Sequence, residues 1–140
     1  MAAESSPGAA VSAGVAAKDA WVESGELIGA QTLAQHWSVS PRALSIAVRE
    51  QQLFAVVHRR RRYYPREFSL LGKATVAQVC RTMAGVPPWT QFIFWKRTHG
   101  ALGGRTASEA LSDQSTENGG VSRVLALARA LAVEATSSDA

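Results

Sequence analysis

The chain has 140 residues, 46% of them hydrophobic, and a formal net charge of +4; that leaves room for one domain or two very small ones, with enough apolar mass for a core. No apolar run reaches the length of a membrane span, the N-terminus lacks the basic-then-apolar order of a secretory signal, and a single cysteine, Cys80, excludes an intrachain disulfide. A cytoplasmic protein with no membrane partner is expected.

Residues 1–17 are largely Ala, Ser, Gly and Val, with hardly a charge and no bulky side chain to bury, so a disordered leader is expected there. A first domain is expected over residues 18–68. Lys18 to Ser24 predicts a short helix that docks Trp21 and Val22 onto the body of this domain and ends at Gly25. Leu33, Ala34 and Trp37 share one helix face, with Gly29 as a weak N-cap, and the pattern breaks at Ser38-Val39-Ser40. A second helix starts there: Ser40 can cap it by accepting a backbone N–H bond, and Pro41 takes the first helical position, where its missing N–H is no loss. Leu44, Ala47 and Val48 recur on the inner face, Arg42, Ser45, Ile46 and Arg49 on the outer one. Leu53 to Val57 and Tyr63-Tyr64 are β-prone runs separated by His58 and four arginines, which predicts a hairpin with a cationic tip.

Between Gly25 and Phe68 seven arginines stand against three glutamates, so this segment accounts for the whole net charge. Positive charge gathered on a helix-turn-helix pattern points to a polyanion, double-stranded DNA. The candidate contacts are Ser40, Arg42, Ser45, Ile46 and Arg49 on the second helix, and Arg59, Arg60, Arg61 and Arg62 on the wing. Arginine suits phosphate, the minor groove and guanine edges, serine bonds to several bases, and isoleucine touches a thymine methyl.

Ala34, Val39 in the turn, the Ser40 cap, Leu44 and Val48, then Leu53 leading into a basic hairpin closed by Tyr64-Pro65, resemble the winged helix-turn-helix of the excisionase and MerR type. Ser38 stands where such turns usually have Gly, and the wing has no Gly, so a loose loop is expected at its tip in place of a tight type I′ turn.

After Phe68 the pattern becomes helical, and a boundary is expected there, followed by a helical partner-binding domain over residues 69–134 and a frayed tail over 135–140. Val76, Val79, Cys80 and Met83 recur at i, i+3, i+4 and i+7, which predicts an amphipathic helix over Thr75 to Ala84, closed by Gly85, with Cys80 as a buried, inert thiol. Trp89 to Trp95 fits either a helix, favoured because Trp89, Phe92, Ile93 and Lys96 share a face, or a buried strand. Its aromatic content exceeds one buried stripe, so Phe94 or Trp95 is expected to meet another chain. Thr106 and Glu109 have the spacing of a capping box, starting a helix over Ala107 to Leu111. Ser112 to Gly120 reads as a loop, and Val121 to Glu134 as the last helix. The fold class is mainly α with one small β-hairpin.

The aromatic segment at 89–95, the Leu102-Gly103-Gly104-Arg105-Thr106 turn, Glu109 and Leu111, and a final helix with Val124, Leu125 and Ala128 resemble the toxin-binding domain of the Xre/MbcA/ParS antitoxin family. Ala107 stands where that family usually has Pro, and the 112–120 loop is longer than usual. The resemblance implies a DNA-binding antitoxin that pairs with a RES-type toxin acting on NAD and regulates its own operon, with Phe94, Trp95, Leu102, Gly103, Gly104 and Arg105 at or behind the partner surface. The alternative is a stand-alone transcriptional regulator whose second domain only dimerises it. A homodimer is expected on either reading, because two linked modules read a repeated site. No cofactor and no metal are expected: His36, His58 and His99 lie in different elements beside one Cys. Gly-x-Ser-x-Gly is absent as well, so an enzyme is not expected.

Overall fold

A computed structural model describes residues 7–113 and 119–137. In chain order these form α1 (Pro7–Glu23), β1 (Leu27–Gly29), α2 (Ala30–Trp37), α3 (Pro41–Arg49), β2 (Val56–His58), β3 (Arg61–Pro65), a 3-10 turn (Arg66–Leu70), α4 (Lys73–Thr82), α5 (Pro88–Lys96), a second 3-10 turn (Gly100–Leu102), α6 (Ala107–Ser112) and α7 (Gly119–Ser137). Helices dominate and the sheet is small, as the patterning predicts. The 89–95 segment is a helix.

The hairpin is part of a three-stranded antiparallel sheet in the order β1-β3-β2. β1, read in the sequence only as a lead-in, pairs Ile28 with Tyr64, and β2 pairs His58 with Arg61. The loop between β2 and β3 is therefore two residues, Arg59 and Arg60, with φ of 50° and 67°. Both sit in the left-handed region, as a type I′ turn requires, so the loose loop expected from the missing Gly is corrected to a tight turn. Arg61 and Arg62, expected in that loop, belong to β3.

The expected leader needs correction too. From Pro7 the Ala-rich run is helical and continuous with Lys18 to Glu23. Alanine is the best helix former, and the C-terminal end of α1 is anchored: Trp21 lies 4.7 Å from Phe92 and 5.9 Å from Trp89, ring centre to ring centre. An anchored turn removes the nucleation penalty that leaves isolated short helices unfolded. Residues 1–6 lie outside the described residues. At the other end, residues 135–137 continue α7 where a frayed tail was expected, and residues 138–140 lie outside the description, as do 114–118 of the expected loop.

One apolar core runs from Leu27 to Ala128 across the boundary expected at residue 68. Phe68 is its hinge point, fully buried, with its ring 5.5 Å from Phe54 and 5.1 Å from Trp95. The indole N–H of Trp37 on α2 donates to the carbonyls of Phe68 and Leu71 at 3.1 and 3.0 Å, closing the turn that leads into α4. A polar bolt crosses the same seam. Lys96 Nζ on α5 donates to Glu26 Oε2 at 2.5 Å, Glu67 Oε1 at 2.6 Å and the Glu26 carbonyl at 3.3 Å. At the far end α6 and α7 meet so closely that a Cβ at Gly120 would overlap the Ala110 carbonyl.

Candidate nucleic-acid interface

Ser38 ends α2 in the left-handed region, at φ 55°. Ser40 then caps α3: its Oγ accepts from the Ala43 N–H at 3.1 Å, with Pro41 next to it in the first turn. That bond occupies Ser40 as a cap. Leu44 and Ala47 are buried where α3 packs against α2, which turns the opposite face of α3 to solvent. Arg42 and Arg49 are exposed there, Ile46 is an exposed large apolar side chain, and Ser45 is half-buried between them. The spacing i, i+3, i+4, i+7 puts these four on one face, as the sequence predicts.

The wing packs through β3 against α2, which in turn packs against α3. Arg60, Arg61 and Arg62 are exposed, and none makes an ion pair or a side-chain hydrogen bond with any described residue. Arg59 differs. Its Nε and Nη2 donate to Asp19 Oδ1 and Oδ2 at 2.8 Å each, and the same carboxylate takes the nearly buried His58 Nε2 at 2.6 Å. The Arg59 guanidinium, and after it the His58 ring, hold the Asp19 carboxyl well below the usual carboxylate range. Asp19 lies on α1 in the stretch read as a helix docking Trp21; nothing in KDAWVES signals a partner on a turn 40 residues away.

A shallow cleft joins the wing to the helix-turn-helix. Gly29 to Thr32, at the start of α2, line it together with Arg61, Arg62 and Tyr63. Gly29 offers α2 no side-chain cap, so the uncapped start of that helix and two arginines line one cleft, an arrangement suited to a phosphate. Sequence reasoning missed this contribution of α2, whose signal was only the absence of a good N-cap.

The expected residues at or behind a partner surface divide: Gly103 and Gly104 are exposed and Arg105 half-buried, while the three apolar side chains lie inside. Phe94 is 4% exposed, and Trp95 and Leu102 are fully buried. Three aromatic rings of α5 are covered within the chain, Phe92 by Trp21 of α1, Trp95 by Phe68 and Phe94 by His99. These internal contacts account for the aromatic surplus, while Pro88, Thr90 and Ile93 of the same helix stay exposed. Gly103 and Gly104, at φ 72° and 79°, form a tight turn in which the Gly104 N–H donates to the His99 carbonyl at 2.9 Å. Arg105 donates to the Leu102 carbonyl at 2.9 Å and to Asp113 Oδ2 at 2.8 Å, which braces the same turn. The motif launches α6, whose capping box between Thr106 and Glu109 is formed in both directions. A cleft of about 220 Å³ lies between α5 and α7, lined among others by Ile93, Phe94, Arg97, Leu127, Leu131 and Glu134.

Burial pushes the Cys80 thiol up to about 12, where it is no nucleophile at neutral pH. Among the described residues no three of His, Cys, Asp and Glu come together to hold a metal ion, and no helix is long and apolar enough to cross a membrane. Comparison with protein-family models, curated proteins and solved structures finds no match to this chain.

Proposed function

We propose that the chain binds duplex DNA, with the outer face of α3 in the major groove and the wing along the flanking phosphates or in the minor groove. The observation that supports it best is the presence of two exposed cationic elements that both pack on α2: Arg42 and Arg49 flank Ile46 on α3, and Arg60 to Arg62 belong to the wing, without acidic partners among the described residues. Arginines left unneutralised by the fold form the electrostatic footprint of a polyanion partner. The reading is tested by fluorescence anisotropy on random and selected duplexes over a range of salt. Arg42→Ala should cost about 1–3 kcal/mol on a selected site and less on random DNA if Arg42 reads a base. Binding that ignores salt, or that survives Ala at 60, 61 and 62 together with its salt slope intact, refutes the reading.

The finer function, an antitoxin that neutralises a RES-type toxin and represses its own operon, is proposed on the Leu102 to Thr106 resemblance. The cleft between α5 and α7 supports a protein partner in this half, whether toxin or second copy; its lining includes Phe94 but not Trp95, and adds Ile93, Leu127 and Leu131. Ile93→Asp should leave DNA binding intact and abolish co-purification of a co-expressed toxin, or dissociate the dimer in sedimentation. An Ile93→Asp variant that does neither removes the cleft as the partner site.

A further inference from the structure

The four consecutive arginines of the wing are chemically identical in sequence, yet tertiary contacts divide them. Arg59 meets Asp19 through two parallel N–H···O bonds of 2.8 Å. This fork-on-carboxylate geometry is the one arginine otherwise uses to hold a phosphate. His58, buried beside the turn, binds Oδ1 of the same carboxylate at 2.6 Å, so Asp19 is held by two side chains. Arg59 and Arg60 are both non-glycine residues with positive φ, a conformation that local sterics disfavour and surrounding contacts must hold. α1 supplies that contact from outside the helix-turn-helix.

Resting on the DNA-binding reading, we propose that Asp19 is an internal stand-in for a DNA phosphate: it keeps Arg59 out of the DNA contact and pins the wing tip, so that three wing arginines, not four, meet the polyanion. Arg59 is then a positioning residue, and Asp19 sets how strongly the wing responds to salt.

The test is the slope of log K against log salt for the full-length chain on a random-sequence duplex, where each phosphate contact contributes about 0.9. Arg60→Ala, Arg61→Ala and Arg62→Ala each flatten the slope, whereas Arg59→Ala leaves it at the parental value. Asp19→Ala steepens it by about 0.9, because the released Arg59 becomes a fourth contact. The Asp19→Ala/Arg59→Ala double variant returns to the parental slope. Flattening by Arg59→Ala equal to that of its neighbours overturns the inference and leaves DNA binding standing. So does a double variant as steep as Asp19→Ala, since the effect would then be a lost negative charge and no release of Arg59. Salt-insensitive binding or no binding in every variant overturns the DNA reading and the inference together. A urea-denaturation cycle on the same variants reads the clamp without DNA: non-additive losses at 19 and 59 are expected, and strictly additive ones overturn it.

Discussion

Lys96→Met tests whether the seam between the two halves is held by charge. Lys96 is 15% exposed, Glu67 13% and Glu26 35%, so the cation and Glu67 are largely desolvated and Glu26 only partly so. Methionine keeps most of the side-chain volume, leaving the lost charge as the main change. Breaking a buried pair by removing one partner costs about 3–5 kcal/mol, because the charge left behind is uncompensated. Exposed pairs are worth only about 0–1 kcal/mol. With Glu67 near the first limit and Glu26 nearer the second, Lys96→Met is expected to cost about 2–3 kcal/mol, intermediate between those limits. Urea denaturation followed by tryptophan fluorescence reads it as a lower midpoint at unchanged slope. Adding Glu26→Gln and Glu67→Gln should recover most of the loss, since the repulsion between the abandoned carboxylates disappears. The pH response has a definite sign. The hydrogen bond from Lys96 lowers the Glu26 carboxyl below its ordinary 4.5, so the unfolded chain takes up protons first as pH falls. The stabilisation is complete above that value and drains away as pH drops through the lowered one. In Lys96→Met this acid sensitivity should shrink. A Lys96→Met variant within about 0.5 kcal/mol of the parent, inside the range of ordinary surface substitutions, would refute the reasoning, as would a triple variant less stable than the single one.

Gly120→Ala should destabilise by about 1–3 kcal/mol, the range for forced overpacking, because its Cβ would overlap the Ala110 carbonyl where α6 meets α7; a variant melting at the parental temperature argues against that close approach. Trp95→Ala should cost about 3–5 kcal/mol as a core truncation and impair DNA binding only through unfolding; a folded variant would move Trp95 out of the core. The Cys80 thiol, pushed up to about 12 by burial, should ignore Ellman's reagent at pH 8 until denaturant is added; stoichiometric reaction in the native state would contradict its burial.

What the sequence revealed about the fold was local chemistry. Ser40 before Pro41 marks the start of α3, and the Thr106–Glu109 capping box marks α6; both are short-range bonds that a reader of residues can anticipate, and both are formed. The outer face of α3 was legible for the same reason, since helical spacing alone divides Leu44 and Ala47 from Arg42 and Ile46. The type I′ turn was not legible because two arginines at positive φ contradict local preference, and the contact that holds them comes from Asp19. The aromatics of α5 were misjudged because counting faces of one helix ignores what covers it. Trp21 belongs to a helix that begins in the supposed leader, and Phe68 to the supposed end of the other domain. β1, three residues long and shielded by β3, is too short for alternation to announce.

Lys18, Asp19 and Trp21 lie within a single turn of α1, yet they serve two different neighbours: Asp19 holds the wing, while Trp21 stacks near Trp89 and the Lys18 ammonium sits 4.4 Å over the centre of the Trp89 ring. The chain is therefore least modular where its sequence looks most modular. A fragment begun at residue 25, the natural choice from the helix-turn-helix pattern, would lose the strut of both halves at once. A chimera that grafted a foreign helical unit after Phe68 would leave Lys18 and Trp21 facing an unmatched surface, so the graft would have to bring its own replacement for the Trp89–Phe92 corner before the wing could keep its shape.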